Sequence, residues 1–216
     1  MLAVDTCGAV GSIALGRIFE GQAELVGEAT VVGGELSVSL MQAIADLLAS
    51  AGAKVGDLAG LVAVAGPGSF TGIRIGLAAV KGLAEAAELP VATLSRLALL
   101  AGLAKSPTAV LDAHRGQIYC GMYAAGETAR EMLLTAGEVN AMGGLPGPVG
   151  VCEEPVAQAL EELQGDAEVV RVVAPAAWDA LRFALPRWLA GDFVDVASLD
   201  GYYLRGADAK VSMRVG

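Results

Sequence analysis

The chain has 216 residues, a hydrophobic fraction of 55%, and 14 Lys plus Arg against 24 Asp plus Glu, for a net charge of −10. That excludes intrinsic disorder, and positive charges so few and scattered exclude a surface that grips nucleic acid through its phosphates. A single histidine, His114, excludes chemistry that needs two, and three cysteines without a CxxC pair point to buried, reduced thiols in a cytosolic protein.

Leu2–Thr6 is a short apolar run ending in Asp-Thr and predicts a buried strand, with Cys7–Gly11 as turn material and Ser12–Gly16 as the returning strand. No basic segment followed by an apolar stretch opens the chain, and the long uncharged windows are broken by Gly and Pro, so a cytoplasmic protein without a membrane span is expected. A third strand is expected over Ala23–Val32. Apolar residues at Leu36, Leu40, Ile44, Leu47, Leu48 and Ala51 then set a helical stripe, ended at Gly52. Leu58–Ala65 has no polar face and reads as a central strand covered on both sides.

Gly66-Pro67-Gly68-Ser69-Phe70-Thr71-Gly72 follows directly and leads into a helix over Thr71–Glu88, stopped by Pro90. Glycines before a helix N-terminus can admit a phosphate to backbone N–H groups. The spacing fits neither a Walker loop nor GxGxxG, and a tight turn capped by Ser69 or Thr71 is the plainer reading. Val91–Leu94 is a short strand and Ser95 caps a helix through Leu103. The alternation predicts an α/β fold.

Lys105-Ser106-Pro107 reads as a boundary between a lobe over residues 1–104, which the C-terminal segment can join, and a smaller one over 105–216. Thr108–Asp112, the turn Ala113–Gly116 and the strand Gln117–Ala124 repeat the opening plan, so two related lobes are expected. Beyond a loop at Gly143–Pro148, strands are expected at Val149–Cys152 and Val169–Val173, and helices at Pro155–Leu163 and Ala176–Ala190. Asp5 and Asp112 each end the first strand of a lobe, where a carboxylate could hold Mg²⁺ or serve as a base, or merely cap a turn. His114 and Arg115 could bind an anion or simply face solvent.

Gly66 to Gly76, followed by Lys81-Gly82-Leu83-Ala84, resembles the signature of the TsaB (YeaZ) family, partner subunits in tRNA threonylcarbamoyladenosine synthesis. Leu2–Thr6, Asp112–Tyr119, Tyr203-Leu204-Arg205 and Asp208-Ala209-Lys210 agree with it in order and spacing; the likeness is thin between about residues 125 and 200. This chain departs from the family pattern at Leu36-Ser37, where His-Ser is common, at Gly201 in place of Pro, and at His114 in place of Arg.

The resemblance implies an actin-like, sugar-kinase-like fold of two lobes, each a mixed sheet with flanking helices. It also implies a chain that is not the catalyst; no metal or cofactor is expected, with residual ATP binding left open. The catalyst would be a paralogous TsaD-type transferase that holds a metal through paired histidines; a TsaE-type ATPase joins the assembly, and tRNA is met only indirectly. The family's first two helices serve homodimers and the TsaD contact. By resemblance that role falls on Leu40, Met41, Ile44, Leu47 and Leu48, and on Ile73, Leu77, Val80 and Lys81.

Two other functions compete. The two-lobe plan with Asp5, Thr6, the glycine loop (Gly66, Pro67, Gly68, Ser69, Phe70, Thr71, Gly72, Arg74) and Asp112 would suit an ATP-dependent small-molecule kinase, or a vestigial nucleotide cleft. A peptidase is argued against by the absence of HExxH, of a second histidine and of a nucleophile elbow.

Overall fold

The structure is a computed structural model, which describes residues 1–31, 36–165 and 168–205. Val32 and the Asp208-Ala209-Lys210 motif lie outside the described residues.

The chain forms two compact units. One comprises Met1–Ser95 and Ala176–Tyr202; the other comprises Arg96–Pro175 and the segment that begins at Tyr203. In the first, β1 (Leu2–Asp5), β2 (Gly11–Phe19), β3 (Gln22–Val31), β4 (Leu61–Val64) and β5 (Val91–Leu94) make a mixed sheet in the order β3-β2-β1-β4-β5. β1 runs antiparallel to β2 with Leu2 opposite Leu15, and parallel to β4 with Leu2 opposite Leu61. β1 and β4 are buried along their whole length, as strands covered on both faces must be.

In the second unit, β6 (Thr108–Asp112), β7 (Gln117–Met122), β8 (Arg130–Thr135), β9 (Val149–Val151) and β10 (Val169–Arg171) take the order β10-β9-β6-β7-β8. This is the same pattern of a hairpin-led strand flanked by one antiparallel and one parallel neighbour. The duplicated plan expected from the sequence is therefore present as duplicated topology.

Helices α1 (Leu36–Ser50), α2 (Phe70–Ala87), α3 (Arg96–Ala104), α4 (Ala136–Ala141), α5 (Glu154–Gln164) and α6 (Ala177–Leu189) cover the sheets. α1 lies over β3 and beside α2, while α6 crosses β1 to β5. Two glycines mark the faces: a methyl on Gly27 would meet Leu47 of α1, and one on Gly16 would meet Leu181 and Trp178 of α6. Gly27 pairs with Leu15, the neighbour of Gly16, so the two helices cover opposite faces. In the second unit, Val149 and Val151 pack with Val156, Ala157 and Leu160 of α5, while Gly150 faces Ala104 of α3.

The covering helices are exchanged. α3 follows the last strand of the first sheet yet packs on β6, β7 and β9; α6 follows the last strand of the second sheet yet packs on the first. The N-terminal stretch of the first unit thus ends at Ser95, before α3, rather than near Lys105, and the later stretch Ala176–Tyr202 joins it. β8 and α4 went unforeseen. β2 runs three residues past the expected end, and β10 stops at Arg171 rather than Val173.

Candidate functional site

The glycine loop joins β4 to α2 through a cis Gly66–Pro67 bond. Ser69 caps α2 by accepting the Gly72 N–H at 3.2 Å, the turn-capping role foreseen for it. The rest of the loop is spent on the chain itself. The Ser69 N–H donates to the Cys7 carbonyl at 2.8 Å, and the Thr6 hydroxyl donates to the Gly72 carbonyl at 2.7 Å. A methyl on Gly68 would strike the Cys7 carbonyl, one on Gly72 the Thr6 carbonyl, and one on Gly76 the Thr6 hydroxyl. On the other flank, Gly66 at φ +119° brings its Cα so near the Tyr202 carbonyl that a Cβ would sit 2.7 Å from it. These glycines admit the end of β1 and the segment at Tyr202.

Asp5 is buried at the end of β1, and its Oδ1 accepts the Cys7 N–H at 2.8 Å. Thr6 is equally buried. Asp112, in the second unit, is exposed; its Oδ1 accepts the His114 N–H at 2.7 Å and its Oδ2 pairs with His114 Nδ1 at 2.9 Å. The Asp112 N–H donates to Glu153 Oε2 at 2.6 Å. Both aspartates therefore hold the turn two residues on. His114 and Arg115 sit in the left-handed region at φ +60° and +58°, which Asp112 helps to sustain. The second unit also carries Cys120, whose thiol is pushed up to about 12 by burial and by the neighbouring Glu131 carboxylate; it is no nucleophile at neutral pH. Among the described residues no cluster of three His, Cys, Asp or Glu side chains could hold a metal ion, and no helix is long and apolar enough to cross a membrane.

Helices α1 and α2 lie side by side in the first unit. Leu40, Ile44, Leu47 and Leu48 point into its core, as do Ile73, Leu77 and Val80. Expected at a docking surface, these seven are instead the buried stripe that fixes the helices on the sheet, each worth roughly 1.5–3 kcal/mol. Lys81 is also committed within the chain, its Nζ donating to the Ala197 and Leu199 carbonyls at 3.3 and 3.1 Å. Met41 is exposed.

The outward faces consist of other residues. On α1 they are Ser37, Val38, 65% exposed, Met41, Gln42, Ala45, Asp46 and Ala49; on α2 they are Phe70, 53% exposed, Thr71, Arg74, Ala78, Gly82, Glu85 and Ala86. Arg74 lies over the Phe70 ring at 3.8 Å. Nothing lies within 4 Å of a Cβ built on Gly82. Of the loop residues, Phe70, Thr71 and Arg74 are thus surface groups, whereas Gly66, Pro67 and Gly72 are buried. The signal for the outward face was in the sequence: Phe70, Arg74, Ala78 and Gly82 recur every four residues, and Val38, Met41 and Ala45 follow a 3–4 spacing. Against so strong a core stripe, small residues attract no notice.

A family model described as TsaD: tRNA N6-adenosine threonylcarbamoyltransferase matches residues 30–179. The tRNA threonylcarbamoyladenosine biosynthesis protein TsaB of Escherichia coli strain K12 is 32% identical over 183 residues, covering 77% of this chain and 79% of that protein. The Bacillus subtilis strain 168 protein of the same name is 36% identical over 129 residues, covering 57% of this chain and 54% of that one. The solved structure of YeaZ from Pseudomonas aeruginosa superposes with a TM-score of 0.72 at 27% identity, over 94% of this chain and 98% of that one.

Proposed function

We propose, from the premise that the chain belongs to the TsaB family, that it acts in tRNA threonylcarbamoyladenosine biosynthesis as a non-catalytic subunit that docks onto a TsaD-type transferase. The observation that carries this reading is the outward face of α1 and α2. Val38, Met41, Ala45, Phe70, Ala78 and Gly82 are apolar or small there, as are the adjoining Ala49 and Ala86, beside the charged Asp46, Arg74 and Glu85 and the polar Gln42. Exposed Val38, Met41 and Phe70 on such a face suit another helical surface better than water. Docking would stabilise the active arrangement of the catalytic subunit, a TsaE-type ATPase would join through the assembly, and tRNA would be bound by the complex rather than by this acidic chain. Without that partner, a second copy would cover the face as a homodimer.

The absence of catalysis is supported by the histidine count and by the glycine loop, whose glycines approach Thr6, Cys7 and Tyr202 of the chain itself. In this reading the chain needs no cofactor. The test is reconstitution with a TsaD-type subunit. Threonylcarbamoylated tRNA should form only when both chains are present, and Met41→Glu in this chain should abolish both the complex and the product. Product formed by this chain alone, or undiminished with Met41→Glu, would overturn the reading.

A further inference from the structure

The segment from Val194 to Tyr202 runs back through the first unit after α6, and it is fastened at four places. The Val194 N–H donates to the Val91 carbonyl at 2.9 Å on the free edge of β5. Asp195 folds the next residues into a turn, its backbone carbonyl accepting from the Ser198 N–H at 3.2 Å and its Oδ1 from the Ala197 N–H at 3.2 Å. The Ala197 and Leu199 carbonyls then converge on Lys81 Nζ of α2. The Leu199 side chain is buried, and the Tyr202 N–H donates to the Ala65 carbonyl at 2.7 Å, one residue before the glycine loop. The Tyr202 carbonyl rests against Gly66 in a space only a glycine leaves open.

We propose that this strap is a latch with Lys81 as its catch, and that docking on α2 is coupled through it to the glycine loop. The coupling part rests on the docking reading above; the latch does not. Lys81 sits one turn beyond Leu77, between the buried side of α2 and the outward residues Ala78 and Gly82. A partner pressed on Ala78 and Gly82 holds α2, and with it the ammonium that gathers the two carbonyls. The carbonyls hold the strap, and the strap closes over Gly66. Loosening at one end must then weaken the other by the same factor, since coupling between two sites is reciprocal.

The experiment is hydrogen exchange on the isolated chain for the wild type, Lys81→Met and Lys81→Arg, followed by calorimetric titration of each with a TsaD-type subunit. Methionine keeps the bulk of the side chain without its charge, and arginine keeps the donors. In Lys81→Met, exchange at the amides of Ser198, Leu199 and Tyr202 and at Ser69 should rise at least tenfold, with β1 and α6 unchanged and Lys81→Arg close to wild type. Affinity for the subunit should fall about tenfold in Lys81→Met alone. Faster exchange that stops at Leu199 and leaves Tyr202 and Ser69 protected overturns the latch. Released Tyr202 and Ser69 amides with undiminished affinity overturn the coupling. A wild type that binds no TsaD-type subunit overturns the docking reading and the coupling with it, while the exchange arm still decides the latch.

Discussion

The Thr6 hydroxyl donates to the Gly72 carbonyl across 2.7 Å, and one turn on, the same side chain fills the space left open at Gly76. A strand end and a helix start are thereby locked by one small polar residue and two glycines. Gly76→Ala would force its methyl into Thr6 Oγ1, an overpacking cost of roughly 1–3 kcal/mol. A thermal midpoint lowered by several degrees is expected, and Gly76→Ala should cost less in a Thr6→Ala background, which lacks the Oγ1 it strikes. An unchanged midpoint for the single variant would show that the contact is soft.

The two sides of α1 should separate stability from docking. Leu40→Glu or Ile44→Glu places a charge in a closed core and should unfold the first unit or lower its stability by several kcal/mol. Met41→Glu and Ala78→Glu, on the outward faces, should leave stability within about 0.5 kcal/mol while removing partner capture. Thermal unfolding and pull-down on the same preparations check both halves.

Arg171 bonds two carboxylates of α5 at once, Glu154 at 3.0 Å and Glu161 at 2.8 Å, and holds both below the ordinary range, chiefly through these hydrogen bonds. A carboxylate whose folded value is lowered contributes stability above its unfolded value near 4.5 and loses it as the pH falls through the lowered folded value. The midpoint difference between wild type and Arg171→Gln should therefore be constant from pH 7 to about 5 and close below about 4.5. A difference that widened in acid would contradict the pairing.

The cysteines should differ in reactivity. Cys120 is buried with its thiol pushed up to about 12, and Cys7 is buried with its Sγ donating to the Val64 carbonyl at 3.2 Å. Cys152 is half-exposed. Alkylation of the native chain at pH 8 should modify Cys152 first and reach Cys7 and Cys120 only on unfolding, as peptide mass spectrometry would read. Early loss of Cys120 would mean that the second core opens more readily than its packing implies.

The five strands of the first unit, the hairpin start of both units and the buried character of β4 were legible because apolar runs there are continuous and bounded by Gly and Pro. β8 was not, because Arg130-Glu131 opens it and Glu131 looks exposed in sequence; in fact Glu131 is buried and accepts the Tyr123 hydroxyl, a contact that only pairing with β7 creates. α4 carried a readable mark, Thr135-x-x-Glu138, which forms a capping box, but six residues are too few for a periodic stripe. At the candidate site, periodicity located both helices, while most of the residues assigned by resemblance lie on their buried sides. The most apolar positions are those a helix keeps for its own sheet, so its outward face is written in a weaker stripe. Which side Lys81 serves depends on a segment more than a hundred residues away, beyond the reach of any local pattern.

The exchange of α3 and α6 between the sheets sets an order on biosynthesis. A ribosome delivers β1 to β5 early, but α6, which covers one face of that sheet, emerges only after the whole second sheet has been made. Through that interval Gly16 and its neighbours have no lid, and the nascent first sheet is the part most in need of a chaperone's protection. The second sheet has its covering helix α3 already waiting upstream, so it can close as it leaves the exit tunnel. A chain cut at residue 175 should accordingly close its second sheet under α3 while its first sheet still lacks the cover of α6, the reverse of the order in which they were written.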